Sequence, residues 1–200
     1  MTRVQPQDFV NLWSPKKGHF MLESGHHGDL WMDLEALCSK PNEIRPFAEA
    51  LAVRVSKHRV EVVCGALNEG AFVALMVASA LDLEFAYAER FANPKSDALF
   101  PVEYRLPRVL RDRVRGKRVA IVNDVINAGS AVRGALRDLE ICGANVVAIG
   151  ALLVLGSSAS RLAADNHVAL EAGAQLENSI WVPSECPLCA AQVPLESYDA

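Results

Sequence analysis

The chain has 200 residues, 51% of them hydrophobic and 22% charged, with a net charge of −4 at neutral pH. That length allows one domain with a sizeable core. The acidic balance, without a basic-aromatic patch, argues against nucleic acid as a partner. Apolar runs such as residues 146–155 are interrupted or too short to cross a bilayer, and the first six residues carry no apolar signal core.

Residues 7–13 read as a short helix, ended near Ser14-Pro15. Residues 19–22 and 30–33 read as two short strands around the turn-rich stretch Ser24-Gly25-His26-His27-Gly28-Asp29. This is not a βαβ opening, so a small appended element is expected. Residues 41–58 show helical spacing, with apolar Ile44, Phe47, Leu51 and Val55. A buried strand at 61–64, a helix at 71–81 and a strand at 84–88 follow. Residues 89–114 are charged, carry Pro94, Pro101 and Pro107, and show no periodicity, which predicts a long loop, functional or disordered. The spacing then predicts a strand at 117–122, a helix at 130–142 with Gly143 at its C′ position, and a strand at 145–155. Strands alternating with helices imply an α/β parallel sheet with right-handed crossovers. Beyond Gly156 the pattern is weaker: a helix near 159–164, a strand near 167–170 and an end rich in Pro and Cys.

Two junctions carry chemistry. Val119-Ala120-Ile121-Val122 runs into the polar pair Asn123-Asp124, and Asn127-Ala128-Gly129-Ser130-Ala131 then opens a helical pattern. A buried strand, a polar turn and a helix N-terminus aim backbone N–H groups and a positive dipole end at one point. Gly129 lets the backbone approach an anion, and Ser130 is placed to cap the helix and donate its hydroxyl. A carboxylate beside such a cradle suits a ligand carrying both phosphate and hydroxyls, a sugar phosphate. The second junction, Val62-Val63-Cys64-Gly65-Ala66-Leu67-Asn68-Glu69-Gly70-Ala71, is again strand, glycine-bearing turn and helix. Two such loops on neighbouring parallel strands would form one crevice.

The first junction resembles the 5-phosphoribosyl diphosphate (PRPP) signature of type I phosphoribosyltransferases. That signature usually holds two adjacent acidic residues; this chain has Asn123 and Asp124. The resemblance assigns Asp124 to the ribose hydroxyls, and Asn127, Ala128, Gly129, Ser130 and Ala131 to the 5′-phosphate. It assigns Gly65, Ala66, Leu67, Asn68, Glu69 and Gly70 to the diphosphate, where Glu69 is an awkward neighbour unless Mg²⁺ lies between. It implies a parallel-sheet core with a small N-terminal hood, a Mg²⁺ cofactor and a homodimer.

Lys17-Gly18-His19-Phe20-Met21-Leu22-Glu23-Ser24-Gly25, followed by Leu30-Trp31-Met32-Asp33, is similar to the start of orotate phosphoribosyltransferases, where two strands form a hood over the base. The tail from Trp181 to Cys189 and from Val193 to Glu196 is similar to that of some bacterial members. The resemblance therefore implies a single domain with hood elements at 1–40, a core at 41–155 and a C-terminal extension at 156–200. It implies transfer of ribose 5-phosphate to orotate in pyrimidine biosynthesis, with Glu23, Trp31 and Met32 at the base. In the long loop Arg90, Lys95, Arg105 and Arg108 are candidate cations for the diphosphate, with Lys95 and Arg90 assigned to catalysis beside Asp124.

The departures bear on the substrate. Glu23 stands where orotate enzymes usually have a lysine, and Gly156 closes the stretch where they usually have an arginine. His26 or His27 could substitute, although both read as exposed turn residues. These differences also fit a phosphoribosyltransferase for another base. Together with Asn123, they fit a non-catalytic PRPP- or nucleotide-binding regulator.

Cys38, Cys64 and Cys142 read as buried free thiols, and an odd total of five cysteines without a secretory signal points to the cytoplasm. Cys186-Pro187-Leu188-Cys189 has three readings. It is a structural turn, or half of a zinc site completed by His167 or a partner subunit, or a redox pair, although no thioredoxin-like context surrounds it.

Overall fold

A computed structural model describes residues 4–13, 15–22, 25–32, 37–92 and 102–197. Among them a six-stranded sheet has the order β5-β4-β3-β6-β7-β8. Its strands are β3 (Val62–Ala66), β4 (Glu84–Ala92), β5 (Val102–Arg105), β6 (Arg118–Ile126), β7 (Asn145–Leu155) and β8 (Ala169–Leu176). All neighbouring pairs run parallel except the edge pair β4–β5. Helices α3 (Glu69–Leu81), α5 (Ser130–Ile141) and α6 (Ser158–Asp165) make the crossovers.

Strand periodicity divides the core between the two faces of the sheet. Val63, Ala120, Val122 and Leu152 pack with α2 (Pro41–Val55) and α3. Val62, Cys64, Ile121, Ile149 and Ala151 pack on the other face with α5 and α6. Helix α2 is held by the stripe Ile44, Ala48, Leu51, Ala52 and Val55, all buried and spaced for one face. Helix α5 buries Val132, Ala135, Leu136 and Leu139 in the same way.

A second sheet holds β1 (Lys16–Met21), β2 (His27–Trp31) and the short β9 (Ile180–Trp181), all antiparallel. The expected appended element is thus built from both ends of the chain. The Met21 N–H donates to the Glu196 carbonyl at 2.9 Å, and the Glu196 N–H donates to the His19 carbonyl at 2.8 Å. Helix α1 (Pro6–Asn11) buries Phe9 in the main core.

Three local expectations are corrected. The polar pair Asn123-Asp124 lies inside β6, which continues in register with β7 through Ile126 paired to Val154. Residues 89–114 are not one loop. Strand β4 runs on to Ala92, β5 returns antiparallel, and α4 (Arg108–Val114) follows. A buried carboxylate, Asp138 of α5, accepts the Leu106 N–H at 2.7 Å and fixes the chain between β5 and α4. The strand expected at 167–170 begins at Ala169 and extends to Leu176 as the sheet edge. No helix among the described residues is long and apolar enough to cross a membrane.

Candidate active site

The direction of winding reverses between β3 and β6. From β3 the chain moves to β4, and from β6 it moves the other way to β7 and β8. In an open parallel sheet, the carboxyl ends of the strands at such a reversal diverge and leave a crevice. Both candidate loops open there, with Gly65 of β3 paired beside Val122 of β6.

The loops touch. A Cβ on Gly70 would collide with the Asn123 side chain, so glycine there lets the start of α3 lie against β6. Asn123 is buried, and its Nδ2 donates to the Val125 carbonyl at 2.8 Å. The Leu67–Asn68 peptide bond is cis, and the Leu67 N–H donates to the Ala88 carbonyl of β4 at 3.0 Å.

Asp124 is 4% exposed. Burial raises its carboxyl to about 6, against the pull of hydrogen bonds from the Val125 and Asp124 N–H groups, and the charge of Glu69 raises it further. Burial and the same two carboxylates push the thiol of Cys38, on a 3₁₀ turn at Leu37–Ser39, up to about 11. Two carboxylates therefore share one local field at the head of the crevice. Hard oxygen donors of that kind fit Mg²⁺, which binds through one or two carboxylates plus substrate oxygens.

Gly129 is the N-cap of α5 at φ 78°, a left-handed conformation that glycine adopts without a Cβ penalty. Ser130 is consequently the first helical residue, with no side-chain cap at this helix start. That corrects the capping role expected for it, and its exposed position leaves the hydroxyl outside the helix. Asn127 and Ala128 are half-buried, as is Ala131. The first-turn N–H groups of α5 have no acceptor within the helix, and a helix start of that kind suits an anion.

Asn178 was not singled out by its sequence. Its Nδ2 donates to Asn127 Oδ1 at 2.9 Å, and it packs on Gly156, where an added Cβ would sit 2.7 Å from Asn178 Oδ1. With φ 61°, Gly156 occupies the place of the expected arginine as a turn residue and offers no cation. A cleft of about 140 Å³ lies beside this link, lined by Lys17, Asp29, Leu30, Glu177, Asn178 and Ser179. Lone polar residues in a polar tail gave no signal for Asn178.

The remaining candidates are dispersed. Arg90 is exposed on β4, paired with Tyr104 of β5, beyond the point where Ala66 faces Ala88. Arg105 pairs with Glu103. Trp31 is half-buried on β2, with Lys16 Nζ 5.1 Å from its ring centre. Met32 packs into the main core. His27 is a buried strand residue rather than an exposed turn residue, because β2 begins there. Cys38 is only half-buried. Glu23 and Lys95 lie outside the described residues.

Solved structures share this fold. Orotate phosphoribosyltransferase from Aeropyrum pernix superposes with a TM-score of 0.61 and 25% identity, covering 82% of this chain and 88% of its own. Adenine phosphoribosyltransferase from Trypanosoma brucei gives a TM-score of 0.66 over 84% of this chain and 78% of its own, at 14% identity, a likeness of fold alone. The chain has the fold of the type I phosphoribosyltransferases. By sequence the chain is 28% identical to the orotate phosphoribosyltransferase of Caldanaerobacter subterraneus, over 94% of the chain and 91% of the relative. It is 29% identical to that of Thermotoga maritima, over 90% and 89%. No family model matches the chain.

Proposed function

We propose that the chain transfers ribose 5-phosphate from PRPP to a nitrogenous base with release of diphosphate, and that the base is orotate. One observation carries the PRPP part. The β3–α3 junction and the β6–α5 junction meet at the reversal of the sheet, Gly70 against Asn123. The relatives named orotate phosphoribosyltransferase along nine-tenths of the chain carry the base.

The reaction breaks the C1–oxygen bond to diphosphate and forms a C1–nitrogen bond. By analogy with glycoside chemistry, positive charge develops on the ribose ring as negative charge develops on the leaving group. The protein's contribution is positioning and electrostatics. Residues 127–131 hold the 5′-phosphate on backbone N–H groups at the start of α5. Asp124 accepts from the ribose hydroxyls and, ionised above about pH 6, faces the developing ring charge. Residues 65–70 hold the diphosphate, and Arg90 and Lys95 supply positive charge to it. Glu69 and Asp124, with substrate oxygens, would hold Mg²⁺, which when bound offsets charge on the diphosphate. Trp31 and Glu23 belong to the base side, and Met32 supports the hood from the core.

We also propose one domain, assembled as a cytoplasmic homodimer. Fold likeness and the odd cysteine count support this reading, and light scattering on the purified protein tests the dimer.

Gly156 in place of a cation favours a second reading, a base other than orotate. A PRPP-consumption assay with Mg²⁺ across pyrimidine and purine bases separates the two. Asp124→Ala is expected to abolish diphosphate release while the protein keeps its circular dichroism spectrum. Turnover at the wild-type rate in that variant would sink the assignment. PRPP binding without diphosphate release on any base would favour the non-catalytic regulator.

A further inference from the structure

Four side chains outside the crevice converge without a role in the proposed reaction. His19 of β1, His27 of β2, and Cys186 and Cys189 at the start of helix α7 (Pro187–Ala190) bring their donor atoms within 4.8 Å of one another. His19 Nε2 lies 3.1 Å from His27 Nδ1, 3.4 Å from Cys186 Sγ and 3.7 Å from Cys189 Sγ. Cys189 Sγ lies 3.2 Å from His27 Nδ1. A tetrahedral ion with Zn–S of about 2.3 Å and Zn–N of about 2.0–2.1 Å has donor–donor edges of about 3.3–3.8 Å. The side chains are therefore already arranged as the shell of such an ion.

We propose that His19, His27, Cys186 and Cys189 form a structural site for a zinc-type divalent cation, which clamps the N-terminal hairpin to the C-terminal segment.

Three further observations agree. Two thiolates and two imidazoles are the donor set that selects zinc among divalent ions. Binding releases one proton from each thiol, and the two thiolates then balance the 2+ charge beside three buried ligands. Second, the His19 Nδ1–H donates to the Val193 carbonyl at 2.9 Å. That bond fixes the tautomer and leaves the Nε2 lone pair for the ion, as outer partners of ligating histidines do. Third, four protein ligands fill a tetrahedron, which marks a structural rather than a catalytic site. Exposed Cys189 gives the ion a way in.

The ligands come from segments more than 150 residues apart in sequence. His167, expected as a possible third ligand, is exposed beyond the end of α6 and takes no part. The hairpin that the ion clamps carries Lys17, Asp29 and Leu30 of the cleft. The ion therefore positions the hood and touches no reacting atom.

The test uses tag-free full-length protein, stripped with a chelator under reducing conditions and titrated with Zn²⁺ or Co²⁺. About one ion per chain is expected. The Co²⁺ form should show the visible bands of tetrahedral cobalt together with thiolate-to-cobalt charge transfer. Cys186 and Cys189 should be alkylated slowly in the Zn²⁺ form and fast in the stripped form. Cys189→Ser should weaken binding by more than the roughly 10–100-fold lost when an outer partner is removed, and His167→Ala should bind as the wild type does. Cys189 is exposed, so its variant keeps the test usable if Cys186→Ser fails to fold. Hydrogen exchange at 16–31 and 187–196 should slow on Zn²⁺ addition, a readout independent of catalysis. Absence of stoichiometric binding, a Co²⁺ spectrum without thiolate charge transfer, or wild-type affinity in Cys189→Ser would overturn the proposal. So would a Cys186–Cys189 disulfide in protein isolated under reducing conditions.

Discussion

Burial makes the Asp124 carboxyl a pH-dependent element of the fold. Its folded pKa of about 6 lies above the unfolded value of 3.8. The folded state therefore holds the proton more tightly. The stability this gives is fully present below about pH 4 and is lost as pH rises to about 6. A gap of about two units corresponds to about 3 kcal/mol. Without divalent cations, the melting temperature should fall between pH 4 and pH 6 through this group, and Asp124→Asn should flatten that fall. An identical pH profile in the variant would show that the carboxyl is not buried as described. Gly70 makes a second case at the same scale. Gly70→Ala must displace Asn123 and its bond to the Val125 carbonyl, at a cost of about 1–3 kcal/mol in urea denaturation. Because the two residues touch, adding Asn123→Ala should recover part of that loss. Strict additivity in the double variant would contradict the contact. Neither effect was readable from residue type. Asn123-Asp124 looked like a turn, and only pairing with β7 shows that the strand carries the pair into the interior.

Elements were legible where periodicity was strong. Strand β7 at Asn145–Leu155 and helix α5 from Ser130 match their sequence patterns, since long apolar runs and a one-sided stripe leave few alternatives. Residues 89–114 failed for a physical reason. Strand β5 and helix α4 are four and seven residues long, too short for periodicity. They are held by tertiary bonds, chiefly Leu106 N–H to Asp138, with Arg111 3.7 Å from the same carboxylate. Asp138→Ala should leave that N–H unsatisfied and cost about 1–3 kcal/mol, while Asp138→Asn, which keeps an acceptor, should cost less. Equal losses for the two variants, read by urea denaturation, would refute the role given to this bond.

At the scale of the molecule, segments near both ends of the chain build one small sheet, separate from the main one. Residues 180–181 and 196 pair with the N-terminal hairpin, and Asn178 links this small sheet to the turn before α5 through Asn127. A chain ending at residue 182 should therefore exchange amide protons faster at 16–31 while β3, β6 and β7 keep their protection. Unchanged exchange in the hairpin would mean that the tail does not support it.

The sequence by itself determined the parallel α/β core, the two glycine-bearing loops and the PRPP-like signature. Each rests on neighbours in the chain, through apolar period, turn residues and a helix start. Tertiary structure alone decided three other things. It brought the two loops together at the reversal of the sheet, buried Asp124 beside Glu69, and gathered two histidines and two cysteines from opposite ends of the chain. Those outcomes depend on strand order and chain closure, and residues far apart in sequence carry no local mark of meeting.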